Sequence, residues 1–114
     1  MKARNKLLEA PPYQVEQAIK NLGTKLRLAR VRRNLSLEVI AAKIGTTRQA
    51  VAAAEHGKPS TGIAVYAGLL WAMGLVDQLS DVAAPDKDQE GEALARSREK
   101  TRARTTGNRL SNDF

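Results

Sequence analysis

Apolar and polar residues alternate with a helical period over the first third of the chain. From Tyr13 onward the apolar positions recur at steps of three and four, at Val15, Ala18, Ile19, Leu22, Leu26 and Ala29. This spacing places them on one face of a helix, and it predicts an amphipathic helix from Tyr13 to about Asn34. Two prolines precede it and favour an extended arm over residues 1–10.

Three further apolar segments each follow a residue that can cap a helix. Ser36 is the first such cap, and Gly45 ends the helix that follows it. Thr46 or Thr47 caps a third helix, which ends at Gly57. The inner faces of these two helices are predicted at Leu37, Ile40, Ala41 and Ile44, and at Ala50, Val51 and Ala54.

Residues 62–74 are apolar almost all round, which predicts a buried helix or one at a subunit contact. Ser60 or Thr61 is its predicted cap. Its Tyr66, Leu70 and Trp71 are expected in the core, with one face available for a dimer contact. Residues 76–83 predict a last short helix.

Large apolar residues become rare after Pro85, where only Leu94, Leu110 and Phe114 remain. Such a segment cannot bury enough apolar surface to fold alone. We expect a loosely held helix over residues 89–104 and disorder in the last ten residues. The predicted organisation is a flexible basic arm (1–10), one domain (11–84) and a partly helical or disordered tail (85–114).

Composition excludes several classes of protein. The chain of 114 residues has no cysteine, so it has no disulfide framework and no thiolate metal site. No apolar run approaches the roughly 20 residues of a membrane span, and no signal-peptide core is visible. We therefore expect a soluble, cytoplasmic protein without a membrane partner. No nucleophile–base pair, phosphate-binding glycine loop or metal-ligand set is visible, so we expect no enzymatic activity, no cofactor and no metal.

The net charge of +7 is unevenly distributed. Residues 1–34 carry nine basic and two acidic residues, whereas residues 35–84 are nearly neutral. A basic segment beside a neutral centre suits a surface that faces phosphates. A solubilising charged coat explains the same charge equally well.

The segment from Ser36 to Gly57 has the residue sizes that two closely crossing helices require. Ala41 is small where the second helix crosses the first, Gly45 tolerates a positive φ in the turn, and Val51 supplies an apolar anchor. This combination predicts a helix-turn-helix. An ordinary helical bundle is the alternative.

The stretch "LSLEVIAAKIGTTRQAVAAAEHGKPS" resembles the Xre and lambdoid-repressor helix-turn-helix family. The resemblance implies an all-α, five-helix, lambda-repressor-like domain, here with an N-terminal extension and a poorly ordered C-terminal tail. It also implies a homodimer on double-stranded operator DNA. "PPYQVEQAIKNLGTKLRLARVRR", "KPSTGIAVYAGLLWAMGLVDQLSDVAAPDKDQEG" and the ending "NDF" further resemble HipB-type antitoxin regulators, which implies a HipA-like serine/threonine kinase toxin as partner.

The resemblance places Arg48 and Gln49 at the exposed start of the helix that enters the major groove. Arginine pairs bidentately with guanine and glutamine with adenine, so the motif favours DNA contact; the alternative is that both side chains are solvated surface. Ala53 could contact a thymine methyl. The remaining predicted DNA-binding residues are Ser36, Thr46, Thr47, Lys43 and Lys58, as helix caps or phosphate contacts.

Two features depart from the family, and one matches it. Leu37 stands where the family often has a glutamine that holds a phosphate, and Ala52 and Ala53 replace positions that are commonly polar. Arg30 and Glu55 resemble the family's buried ion pair, which is structural and does not contact DNA.

The tail from Arg96 to Arg109 is basic, with Glu99 as its one acid. It could add non-specific DNA affinity, or it could dock on a protein partner through Leu110 and Phe114, with Asp113 as the polar element. A solvated tail without a binding role is the third possibility.

The leading hypothesis is a sequence-specific DNA-binding transcriptional repressor that acts as the antitoxin of a HipA-like kinase toxin. The alternatives are a helix-turn-helix regulator without a toxin partner, or chiefly a protein-interaction module.

Overall fold

The structure is a computed structural model that describes residues 5–112, with side chains for residues 5–104. All regular elements among these residues are helical, which confirms the predicted all-α class. The α-helices are α1 (Lys6–Glu9), α2 (Tyr13–Arg32), α3 (Leu37–Ile44), α4 (Arg48–Glu55), α5 (Ile63–Ala72) and α6 (Gln89–Asn112). Two 3-10 helices span Val76–Asp81 and Pro85–Lys87. None of these described helices is both long enough and apolar enough to cross a membrane.

The chain divides into two compact units, Met1–Asp77 and Gln78–Phe114. The first contains α1 to α5. In the second, α6 packs against the 3-10 helix Pro85–Lys87. The sequence placed the boundary after Ala84, and the packing places it after Asp77.

Helix α4 lies at the centre of the first unit, because it packs against α2, α3 and α5. Ile40, Val51 and Leu69 are fully buried there. The other buried apolar residues include Leu26, Ala41, Ala54, Tyr66, Leu70, Ala72 and Met73. Of the inward positions predicted for α3 and α4, Ile40, Ala41, Val51 and Ala54 are buried, and Leu37, Ile44 and Ala50 are half-buried.

The turn between α3 and α4 is closed by backbone hydrogen bonds. The amides of Gly45 and Thr46 both donate to the carbonyl of Ala41, each at 3.0 Å. Gly45 has φ of +79°, a conformation that residues with a side chain rarely adopt. Thr47 then caps α4, since its side chain accepts a hydrogen bond from the amide of Ala50 at 3.1 Å.

Two local expectations were wrong. Residues 6–9 form one helical turn rather than extended chain, because the Asn5 side chain caps the amides of Leu7 and Leu8. Helix α5 is preceded by Gly62 and has no side-chain cap, so neither Ser60 nor Thr61 has the predicted role. Thr61 instead lies in a turn, where its amide donates to the carbonyl of Lys58.

Helix α5 is less buried than its composition suggests. Tyr66 and Leu70 lie in the core as predicted, but Trp71 is 55% exposed and Ile63 is 72% exposed. Helices α3 and α4 cover only part of α5, so an apolar surface remains on its other side.

Helix α6 extends the helix predicted over residues 89–104 to Asn112. Its start is fixed by Asp88, whose Oδ1 accepts from the amide of Gly91 at 3.0 Å. One turn later Arg96 pairs with Glu92 at 2.5 Å. The Ala, Arg, Lys and Glu residues that fill the segment also favour a helix.

Candidate nucleic-acid interface

The two side chains predicted to read bases are the first two residues of α4, and both are exposed. Their position follows from the Thr47 cap, which fixes where α4 begins. A helix start also presents backbone amides that have no partner within the helix, and these bind anions. Arg48 and Gln49 thus project from the end of α4 that suits contact with DNA.

Thr46 and Thr47 have different roles. Thr47 is the cap of α4, whereas Thr46 is half-buried and its amide closes the preceding turn. The amide of Thr46 is therefore already occupied by the carbonyl of Ala41. Ser36 likewise caps α3, since its Oγ accepts from the amide of Val39 at 3.1 Å.

A shallow depression of about 340 Å³ lies along the same helix. Its lining residues are Gln49, Ala52, Ala53, His56 and Lys58. The two alanines are half-buried, while the three polar side chains are exposed. The alanines that depart from the family thus form an apolar patch between polar side chains, and this arrangement suits a methyl group at a base edge.

His56, whose position at the end of the third helix suits a cap or a phosphate neighbour, is the C-cap of α4 and lies in this depression. Its Nδ1 is 2.7 Å from the carbonyl oxygen of Ala52. Only a protonated Nδ1 can donate to a carbonyl, so this contact requires a proton on Nδ1. The sequence signal for His56 was its place at the exit of α4, beside Lys58.

Lys43 is engaged within the protein. Its Nζ donates to the carbonyl of Ala72 at the end of α5, at 3.0 Å. A cation is stabilised at that position by the unpaired carbonyls of a helix C-terminus. Lys58, by contrast, is exposed beside the depression.

Arg30 and Glu55 form a bidentate ion pair that links α2 to the end of α4. Arg30 Nε donates to Glu55 Oε2 at 2.7 Å, and Nη2 donates to Oε1 at 2.9 Å. The third arm, Nη1, donates to the carbonyl of Leu35 at 2.8 Å. The two side chains are only 11% and 4% exposed. The hydrogen bond with Glu55 raises the pKa of Arg30 above its usual value, against the opposing effect of burial.

Two glycines, Gly23 in α2 and Gly57 just after α4, have a packing role. A Cβ on Gly23 would lie 2.5 Å from the carbonyl oxygen of Glu55, and one on Gly57 would lie 2.6 Å from Cα of Lys20. Helix α2 and the end of α4 therefore approach each other closely. Only the three-dimensional structure shows which backbone each glycine faces.

An ion pair that the sequence did not predict involves Arg48. Its Nε lies 2.8 Å from Oε1 of Glu38 on α3. No periodicity rule links residues ten positions apart across a turn. The partner of the main candidate reading residue was therefore missed.

The predicted tail contacts Asp113 and Phe114 lie outside the described residues, as does the side chain of Leu110. Within the described part of the chain, no group of three histidine, cysteine, aspartate or glutamate residues is placed to hold a metal ion.

Comparison with known proteins gives one positive result. Residues 26–67 match the helix-turn-helix family model, and this range includes all of α3 and α4 and the turn between them. Neither a search of curated proteins nor a search of solved structures found a match. The match covers less than half of the chain and supports a DNA-binding, transcription-regulating role for this segment. The geometry of α3, α4 and the turn between them, together with this match, identifies a helix-turn-helix within residues 26–67.

Proposed function

We propose that the protein is a sequence-specific DNA-binding repressor that acts as a homodimer in the cytoplasm. The observation that carries this proposal is the exposure of Arg48 and Gln49 as the first two residues of α4. Helix α4 is fixed at its other end by the buried pair of Arg30 and Glu55. A rigid helix with exposed polar side chains at its N-terminus is what major-groove readout requires.

In this mechanism Arg48 pairs with guanine and Gln49 with adenine on neighbouring base pairs. Ala53, in the depression beside Gln49, contacts a thymine methyl. Thr47, Lys58 and the amides at the start of α4 contact phosphates, which position the helix without reading the sequence.

Homodimer formation follows from the small number of base pairs that one helix can read. Two-fold pairing would place two copies of α4 about 34–36 Å apart, in successive major grooves. The exposed Trp71 and Ile63 on α5 support this part of the proposal, because they offer apolar surface for a subunit contact.

The test is selection of a preferred duplex from a random pool, followed by gel-shift titration at fixed salt. Arg48→Ala with Gln49→Ala should reduce the preference for the selected duplex to near the non-specific level. Arg33→Ala with Gln14→Ala is the matched control, since it removes the same residue types from exposed positions on or beside α2. The control should keep the preference. Specific binding that survives the Arg48 and Gln49 double change would favour a protein-interaction module.

The finer proposal is that this repressor is the antitoxin of a HipA-like kinase toxin. It is supported by the resemblance of residues 11–33 and 58–91 to HipB-type regulators. The first check is whether the adjacent reading frame encodes a kinase. If it does, co-expression should relieve the growth arrest that the kinase causes, and the two proteins should co-purify. A neighbouring frame without a kinase would leave a helix-turn-helix regulator that has no toxin partner.

A further inference from the structure

The side chains of Glu38 and Arg48 meet across the helix-turn-helix. Glu38 lies in the first turn of α3, and Arg48 is the first residue of α4. Oε1 of Glu38 is 2.8 Å from Nε of Arg48, and the Arg48 and Glu38 side chains are 60% and 65% exposed. Ion pairs this exposed contribute little to folding stability. The contact therefore matters for the charge balance and the position of Arg48 rather than for folding stability.

Arg48 occupies an unfavourable position for a cation. The N-terminus of a helix carries partial positive charge, so it favours acidic side chains and anions. Glu38 supplies a negative charge at this place in the free protein. If it were absent, the anion that best satisfies Arg48 on bound DNA would be a backbone phosphate.

The atom that Glu38 contacts also matters. An arginine carries five N–H donors in a planar fork, and a guanine edge accepts two parallel bonds at O6 and N7. The 2.8 Å contact at Nε is an ion pair without a hydrogen bond, so the N–H donors of Arg48, including Nη1 and Nη2, remain available. Holding the guanidinium near one carboxylate also reduces the rotamer entropy that base pairing would otherwise cost.

We propose that Glu38 is a specificity-determining positioning residue. Its carboxylate holds Arg48 in an ion pair beside the start of α4, leaves the N–H donors of Arg48 available for a guanine edge, and opposes the use of Arg48 as a phosphate contact. This inference rests on the proposed function, because it assumes that Arg48 reads DNA.

The proposal predicts opposite changes in two measured quantities for Glu38→Gln. Removing the carboxylate removes a repulsion between protein and DNA, so affinity for unrelated duplexes should rise several-fold. Without the ion pair, Arg48 should contact backbone phosphate as well as the base. The preference at the Arg48 base pair should therefore fall by about threefold or more, out of the roughly tenfold that a bidentate contact provides.

The experiment compares the selected operator with the same duplex carrying 7-deazaguanine at single positions, by fluorescence anisotropy at fixed salt. The 7-deaza base lacks only the N7 acceptor, so the position that weakens wild-type binding identifies the guanine read by arginine. Glu38→Gln should bind this modified duplex and the operator more equally. In an Arg48→Ala background, Glu38→Gln should not change the ratio further.

Glu16→Gln is the matched control, because Glu16 also forms an ion pair on an exposed face, with Lys20 at 2.8 Å. It removes the same charge from α2 and should leave the 7-deazaguanine ratio unchanged. Thermal melting of every variant checks that the fold is intact.

The outcomes separate this inference from the function on which it rests. A selected operator with an unchanged ratio in Glu38→Gln would overturn the inference alone. If the wild-type protein selects no duplex at all, the proposed function fails, and the role of Glu38 fails with it.

Discussion

At the scale of single residues, Arg30 shows how one buried side chain sets the position of α4. All three of its nitrogens are used, two by Glu55 and one by the carbonyl of Leu35. A buried carboxylate that lost this partner would be left without compensation. The pair therefore fixes the end of α4 that lies opposite Arg48.

Replacing Arg30 with methionine should destabilise the protein by about 3–5 kcal/mol, because Glu55 would remain buried and unpaired. The measurement is the free energy of unfolding from urea denaturation. Lys20→Met is the control, since it breaks the exposed pair with Glu16 and should cost less than about 1 kcal/mol. Equal effects of the two changes would show that the Arg30–Glu55 pair is no stronger than a surface contact.

The sequence predicted the Arg30–Glu55 pair but not the pair of Glu38 with Arg48. Arg30 and Glu55 could be paired in advance only because the stretch resembles a family in which the pair is known. Glu38 and Arg48 have no such precedent in the quoted motifs, and their contact depends on the crossing angle of α3 and α4. The separation of Glu38 and Arg48 along the sequence does not by itself indicate this contact.

At the scale of elements, the crossing of α2 with the end of α4 depends on two glycines. Gly23 faces the backbone carbonyls of Ala54 and Glu55, and Gly57, at φ of +70°, faces the backbone of Lys20. Backbone atoms cannot move aside as the end of a flexible side chain can. Because the same crossing positions Glu55 against Arg30, packing here and the buried ion pair depend on each other.

Gly23→Ala should destabilise the protein by about 1–3 kcal/mol, although alanine has a higher helix propensity than glycine. Its Cβ would lie 2.5 Å and 2.6 Å from two carbonyl oxygens, so α2 must move away from α4. Thermal melting gives the measurement. In Gly68→Ala, the control in α5, the new Cβ meets only the Ile44 side chain, at 3.3 Å or more. That variant should be neutral or more stable, and a Gly23→Ala protein as stable as the control would refute the tight crossing.

Periodicity and capping rules identified α2, α3, α4 and α5 with their ends correct to within a few residues. These rules succeed where an apolar face is buried, and at α3 and α4 a polar side chain also satisfies one of the first amides. They failed at Asn5, where a cap stabilises one turn that has no buried residue. They also failed at Trp71, because an all-apolar helix does not show which side its neighbours leave open.

At the scale of the whole molecule, positive charge is concentrated at two places in the sequence, residues 1–34 and the part of α6 from Arg96 to Arg109. In α6, Arg98 and Arg102 lie on one face, while Lys100 and Arg104 lie on the opposite face. Between Gln89 and Arg104 the one large apolar side chain is Leu94, which is 53% exposed. A helix that docks in an apolar groove needs a stripe of apolar residues, so this part of α6 is better suited to phosphates.

Replacing these four basic residues of α6 with glutamine in the full chain should weaken binding to all duplexes alike. The slope of log K against log salt concentration should become shallower by about 0.9 for each phosphate contact that is lost. The preference for the selected operator should not change, since phosphate contacts carry no sequence information. Glu99→Gln, the opposite change of charge on the same helix, should strengthen binding. If the four-residue variant keeps the wild-type salt slope, these basic side chains of α6 do not contact phosphate. That result would favour protein docking as the role of the tail.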